Sequence, residues 1–174
     1  YTEDGAVERY LFYKRNPELV LVDTSVIAKA PARLLTAGMG DALATWFEAK
    51  TVMDAKKANQ VGGSTTISAA ALAKLCYETL LEDGLAALNA VRAQSVTPAL
   101  ERLVEANTLL SGLGFESGGL AVAHSVHNGL TTMAETHHYL HGEKVAFGLI
   151  VQLVLEGKSK DLVKEVLEFC WSVG

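Results

Sequence analysis

All five histidines of the 174-residue chain lie between positions 124 and 141. Unrelated histidines would be scattered along a chain of this length, so the cluster suggests shared chemistry. His124 and His127 are three residues apart in a predicted helix and therefore share one of its faces. His137, His138 and His141 follow in a predicted connection between two helices. Imidazole nitrogens on neighbouring elements are typical metal ligands, and a catalytic metal usually keeps three protein ligands and an open position.

Asp41 is the candidate oxygen ligand for such a site. It follows a glycine-rich turn, Gly38-Met39-Gly40, at a predicted helix start, where an aspartate most simply serves as an N-cap. His124 lies among small apolar residues, and a lone histidine there is more often a core residue with a polar partner than a ligand. The spacing therefore suggests a metal site but leaves its members open.

Other motifs give weaker evidence of a functional site. The polar stretch Gly62–Thr66 is rich in glycine, but it lacks the lysine of a phosphate-binding P-loop and does not follow a strand. The chain has no GxGxxG motif. Its serines lie in no nucleophile-elbow context. The histidine cluster is therefore the main candidate site.

The elements that must position these residues are predicted to be mainly helices. Leu19–Asp23 is a short apolar run that predicts one buried strand. A lone strand cannot form a sheet, so its partners must lie outside this chain or within residues 1–15. Apolar spacing and helix-capping residues predict helices over 30–37, 41–56, 67–81 continuing through 85–92, 99–113, 118–130, 143–155 and 160–171.

Composition excludes several classes of protein. Hydrophobic residues make up 49% of the chain, and the net charge is −5. This mild acidity offers no basic surface for nucleic acid or anionic lipid. The most apolar stretch, Val145–Leu155, is shorter than the roughly 20 residues of a membrane span. Cys76 and Cys170 are expected to be reduced core thiols, and the N-terminus resembles no signal peptide, so we expect a cytoplasmic protein.

Three long segments, in order, resemble glycerol dehydrogenases of the iron-containing alcohol dehydrogenase superfamily. Residues 38–49 resemble the family's aspartate metal-ligand motif. Residues 114–129 resemble its first histidine motif, and residues 138–148 its second. Residues 16–31 are similar to its interdomain strand and crossover. The likeness covers essentially the whole chain.

The resemblance implies that Asp41, His124 and His141 bind the catalytic metal. Iron-using relatives carry a further histidine four residues after the aspartate, where this chain has Thr45. Three protein ligands and an open position are typical of catalytic zinc, so zinc is the expected metal. The resemblance also places Phe115 on the substrate side and His127 behind the ligands or in the substrate pocket.

The family is a two-domain enzyme that uses NAD, and its full-length members assemble as homo-oligomers. The resemblance implies that residues 1–29 are a remnant of the NAD-binding domain and that residues 30–174 form a helical metal-binding domain, truncated at its C-terminus. The expected activity is oxidation of glycerol to dihydroxyacetone, with the chain alone inactive. Two alternatives stay open: a non-catalytic metal-binding or assembly module, and a sugar-phosphate lyase of the wider superfamily.

Overall fold

Helices form almost all of the regular structure in the computed structural model, which describes residues 2–3 and 5–174. Tyr1 and Asp4, part of the predicted N-terminal remnant, lie outside the described residues. The helices are α1 (Thr24–Ile27), α2 (Ala32–Asp54), α3 (Ile67–Arg92), α4 (Pro98–Glu105), a π-helical turn (Ala106–Leu110), α5 (Ser111–Gly118), α6 (Val122–Leu130), a 3₁₀ turn (Ala134–Thr136), α7 (His141–Leu155) and α8 (Lys160–Val173). The predicted mainly helical bundle is confirmed.

Hydroxyl caps begin two of the predicted helices. The Thr66 side chain accepts a hydrogen bond from the Ala69 N–H at the start of α3. The Thr97 side chain accepts from the Leu100 N–H, and Pro98 occupies the first position of α4. A proline there costs no hydrogen bond, because the first N–H groups of a helix have no partner within it. Residues 62–66 before α3 form the predicted loop.

The predicted strand Leu19–Asp23 is wrong for this chain. These residues have no regular secondary structure, and the described residues contain no β-strand. Leu19 and Leu21 are 76% and 86% exposed. A strand needs a neighbour to satisfy its backbone hydrogen bonds, and nothing in the described part of the chain supplies one. Asp23 ends the segment by accepting a hydrogen bond from the Ser25 N–H at the start of α1.

The predicted helix break at Gly38-Met39-Gly40 is also wrong. Helix α2 runs through both glycines, and Asp41 therefore lies within the helix instead of capping it. Gly40 in α2 and Gly142 in α7 are needed for the close packing of these two helices. A Cβ atom on Gly40 would lie 2.7 Å from the Gly142 carbonyl oxygen, and one on Gly142 would lie 1.7 Å from the Ala37 carbonyl oxygen.

The starts of α6 and α7 differ from their predicted positions. Helix α6 begins at Val122 and not at Gly118, because Gly119 adopts a positive φ of 110° that ends α5. Helix α7 begins at His141, two residues before the predicted Glu143. His141 therefore belongs to the first turn of a helix and not to a loop.

The core lies where α2 packs against α3 and α7, with α6 packed against α7. Leu43, Leu80 and Leu149 are fully buried there, one from each of the three longer helices. This packing places the start of α7 beside the middle of α2. No helix in the described part of the chain has both the length and the apolar composition needed to cross a membrane.

Candidate metal centre

The three predicted ligands come from three different helices. Asp41 lies in the middle of α2, His124 in the first turn of α6, and His141 at the first position of α7. Glycine contacts between α2 and α7, and between α6 and α7, bring these helix backbones close together. A Cβ atom on Gly148 of α7, for example, would lie 2.3 Å from the Ala123 carbonyl oxygen. The three side chains therefore converge although they are far apart in sequence.

The distances among these side chains fit a tetrahedral metal ion. Asp41 Oδ1 lies 3.3 Å from His124 Nε2 and 3.2 Å from His141 Nε2. One ligand atom from each residue lies within 4.8 Å of the other two. Zinc ligands at about 2.0–2.2 Å in tetrahedral geometry lie about 3.3–3.6 Å from each other. One carboxylate oxygen and two imidazole nitrogens are donors that zinc accepts, and two of their three separations, 3.2 and 3.3 Å, are close to this spacing.

The other histidines are not part of this group of ligand atoms. His137 Nε2 contacts the Thr131 carbonyl oxygen at 3.0 Å, and His138 is exposed. His127 is 1% exposed and lies behind His141, with its Nε2 2.9 Å from His141 Nδ1. His127 therefore lies behind a predicted ligand. This is one of the two positions predicted for it.

Glu48 is a functional candidate that the sequence analysis missed. Its carboxylate is completely buried and contacts His124 Nδ1 at 2.6 Å. Glu48 follows Asp41 by seven residues, or two helical turns, so the two carboxylates lie along the same side of α2. This spacing would have identified Glu48 as a candidate if the sequence analysis had predicted Asp41 to lie within the helix.

Burial and electrostatic interactions shift the pKa values of several residues at the centre. Burial opposes the charge on Asp41, but hydrogen bonds from His124 and His141 outweigh it and lower the Asp41 pKa below its usual value. Burial disfavours charge on His124 as well, yet its contacts with Asp41 and Glu48 raise its pKa to about 9. Burial is the main cause that lowers the His127 pKa to about 4. A metal ion at this centre would therefore compete with protons on His124.

A cavity of about 350 Å³ opens beside the three predicted ligands. Of the two residues predicted to bind substrate, Phe115 lines this cavity and His127 does not. Thr45, the position where iron-using relatives carry histidine, also lines the cavity, and its hydroxyl is 2.9 Å from the Ser111 hydroxyl. This size and mixed lining suit a small polar molecule next to the metal position.

Asn107 is a second residue that the sequence analysis missed. It lines the same cavity from the π-helical turn, and its Oδ1 is buried without a hydrogen-bond partner. Irregular π turns occur frequently at functional sites, and a buried polar atom without a partner is costly. The asparagine alone gives no signal in the sequence, because its neighbours are predicted as an ordinary helix.

Comparisons with known proteins find relatives that align with the whole chain. Glycerol dehydrogenase of Pseudomonas putida is 60% identical over all 174 residues, which cover 48% of that protein. Glycolaldehyde reductase of Halobacterium salinarum is 56% identical, again over the whole chain and 48% of its own length. The crystal structure of a probable glycerol dehydrogenase from Sinorhizobium meliloti superposes with a TM-score of 0.98 at 48% identity, covering 100% of this chain and 49% of that one.

The chain thus spans about half the length of the curated relatives it matches. None of the known protein-family models matches the sequence. The likeness therefore rests on alignment over all 174 residues and on a shared helical fold. Together these matches show that the chain is homologous to glycerol dehydrogenases over about half of their length.

Proposed function

We propose that this chain carries the metal end of a zinc- and NAD-dependent polyol dehydrogenase that oxidises glycerol to dihydroxyacetone. The observation that carries the proposal is the convergence of Asp41, His124 and His141 beside a cavity of about 350 Å³. These three residues would hold the zinc ion. The ion would supply a Lewis acid that stabilises negative charge on the alcohol oxygen.

The residues of the chain would position the polyol and shield it from water. The aromatic ring of Phe115 supplies an apolar wall for the carbon chain. The side chains of Ser111 and Asn107 line the same cavity and offer polar atoms to further hydroxyl groups. Correct placement of the reacting carbon matters because hydride transfer requires close contact with the acceptor.

NAD would accept the hydride, and we infer that it is bound mainly by a domain outside this chain. The chain has no glycine-rich dinucleotide motif, and it spans about half of its relatives' length. In this proposal residues 1–29 belong to that cofactor-binding domain and its crossover, and residues 30–174 form the metal-binding domain. The complete protein would work as a homo-oligomer.

Substitution of the ligands in the full-length protein tests this function. We expect His124→Ala and His141→Ala each to remove zinc and to lower glycerol oxidation by more than about 100-fold, beyond the loss typical of residues that only support a ligand. His138→Ala is the matched control, because this exposed histidine lies outside the centre. Glycerol oxidation that survives both ligand substitutions would contradict the proposal.

A second candidate substrate follows from the glycolaldehyde reductase relative, which is 56% identical. Reduction of a small hydroxyaldehyde uses the same hydride chemistry in the opposite direction. Comparing kcat/KM for glycerol and for glycolaldehyde in the full-length protein decides between the two substrates. Phosphate release without NAD turnover would instead favour a sugar-phosphate lyase, and zinc binding without any turnover would favour a non-catalytic module.

A further inference from the structure

We propose that Glu48 is a positioning residue that holds His124 in the one tautomer able to bind the metal. The inference rests on the proposed metal site and goes beyond it, since it concerns a residue that is not itself a ligand. The evidence for this inference is the set of contacts that one buried carboxylate makes. Such a group is costly to bury, so the bonds that satisfy it indicate what it does.

Both oxygens of Glu48 are occupied. Oε1 accepts hydrogen bonds from the backbone N–H groups of Ala121 at 2.8 Å and His124 at 3.0 Å. Oε2 lies 2.6 Å from His124 Nδ1. The side chain of Glu48 is 0% exposed. A single carboxylate on α2 thus holds the first turn of α6 and the imidazole ring that projects from it.

The contact with Nδ1 determines which nitrogen carries the proton. An ionised carboxylate can only accept hydrogen bonds, so His124 Nδ1 must donate. When a metal ion replaces the hydrogen bond to Asp41, the neutral ring keeps its lone pair on Nε2. That nitrogen is the one that points towards Asp41 Oδ1, at 3.3 Å. Glu48 therefore presents the lone pair of His124 to the metal position and fixes the plane of the ring.

Glu48→Gln tests this assignment because it preserves size and changes only hydrogen-bonding character. The amide oxygen must stay at the Oε1 position to accept from the Ala121 and His124 N–H groups. The amide NH₂ group then faces His124 Nδ1 and needs an acceptor there. His124 is driven to the opposite tautomer, with its proton on Nε2, so metal affinity must fall.

Gln152→Leu is the matched control. Gln152 is also fully buried, and its Oε1 accepts a hydrogen bond from the Ala123 N–H at 3.0 Å. It therefore supports the same first turn of α6 but does not contact the His124 ring. A purely structural role for this region predicts that both substitutions weaken metal binding alike.

The experiment measures Zn²⁺ affinity by competition with a chelator, and the free energy of unfolding without metal, for the unsubstituted protein and both variants. We expect Glu48→Gln to lose about 10- to 100-fold in Zn²⁺ affinity. Gln152→Leu should be less stable but keep an affinity close to that of the unsubstituted protein. Equal affinity of Glu48→Gln and the unsubstituted protein, or equal losses in the two variants, would overturn the assignment.

A second measurement covers the case in which Glu48→Gln does not fold. Nitrogen NMR of the zinc-loaded, unsubstituted protein should show His124 with a protonated Nδ1 and a metal-bound Nε2. Metal on Nδ1, or no proton on Nδ1, would refute the role of Glu48 while leaving the zinc site intact. If the unsubstituted protein binds no Zn²⁺, the proposed metal site itself fails, and the role of Glu48 fails with it.

Discussion

At the scale of single residues, the centre depends on which nitrogen of each histidine faces the cavity. His141 has its own buried partner, as His124 does. His127 Nδ1 lies 3.0 Å from Asn128 Oδ1, which can only accept a hydrogen bond, so His127 donates there and its neutral Nε2 accepts from His141 Nδ1. In the metal-bound protein the lone pair of His141 would thereby be left on Nε2, in place of its hydrogen bond to Asp41. Partners of this kind orient metal ligands in proteins generally.

His127→Leu should weaken metal binding without removing a ligand. The substitution leaves His141 Nδ1 without its acceptor, so ring orientation and tautomer are no longer held. We expect Zn²⁺ affinity to fall about 10- to 100-fold, as measured by chelator competition. The matched control is His138→Leu, which replaces an exposed histidine. Unchanged affinity in His127→Leu would show that His141 needs no support from this side.

At the scale of helices, the centre depends on close contact between α2 and α7. The helix glycines Gly40 and Gly142 remove the side chains that would otherwise separate these backbones. A glycine within a helix costs about 1 kcal/mol relative to alanine. Here the cost is offset because the contact brings the first residue of α7, His141, to Asp41 in α2.

Gly142→Ala should therefore be strongly destabilising. Its Cβ atom would lie 1.7 Å from the backbone carbonyl oxygen of Ala37, which cannot move unless α2 moves. We expect a loss of about 3 kcal/mol in the free energy of unfolding, measured in urea, at the upper end of the cost of overpacking.

Gly129→Ala in α6 is the control for this prediction. A Cβ atom there meets nothing within 4 Å. The substitution should stabilise the protein by about 0.5–1 kcal/mol, because alanine is the better helix former. Similar effects of the two substitutions would contradict the close-packing explanation.

The start of α7 is also held by an ion pair whose contribution depends on pH. Arg33 Nε and Nη2 donate to Glu143 at 2.6 and 2.7 Å, and Glu143 Oε2 accepts from the Leu140 N–H at 2.8 Å. The hydrogen bond from Arg33 is the main cause that lowers the Glu143 pKa from its ordinary value of 4.5. Its stabilising effect is therefore complete above pH 4.5 and is lost as the pH falls through the lowered value.

Glu143→Gln tests this contribution. The substitution should reduce the free energy of unfolding by about 0.2–1 kcal/mol at pH 7, the range for a solvent-accessible ion pair. The difference from the unsubstituted protein should vanish as the pH drops well below 4.5. Urea unfolding at several pH values measures it, and a difference that stays constant down to the lowest pH would rule out the ion pair as its source.

At the scale of the whole molecule, the chain corresponds to about half of each relative it matches. Residues near its N-terminus expose several large apolar side chains. Val20 and Leu21, for instance, are 68% and 86% exposed. The predicted metal ligands, by contrast, all lie among the described residues and converge without any other part of a protein. We therefore expect metal binding and cofactor binding to be separable.

Titration of the 174-residue chain tests this separation. We expect it to bind Zn²⁺ but to show no measurable NAD binding by calorimetry, because it has no glycine-rich motif to hold the pyrophosphate. The full-length protein should bind both. Tight NAD binding by the 174-residue chain would contradict the proposal that different domains bind the metal and NAD.

The sequence by itself determined the mainly helical architecture and the resemblance to glycerol dehydrogenases. Helix propensity and capping are local properties, and the ligand motifs are contiguous segments, so both can be predicted without tertiary contacts. The predicted strand Leu19–Asp23 shows the opposite case. Its apolar pattern is local, but whether it forms a strand depends on a neighbour that the described chain does not supply.

Only the tertiary structure decided which side chains meet. It placed Asp41 inside a helix, because packing of α7 against Gly40 outweighs the tendency of glycine to end one. It brought His124 and His141 to Asp41 and left His138 exposed, whereas spacing alone, without the family resemblance, does not distinguish these histidines. It also revealed Glu48, whose role exists only because α6 begins beside α2. Convergence of residues about 100 positions apart depends on helix packing, and no local pattern encodes it.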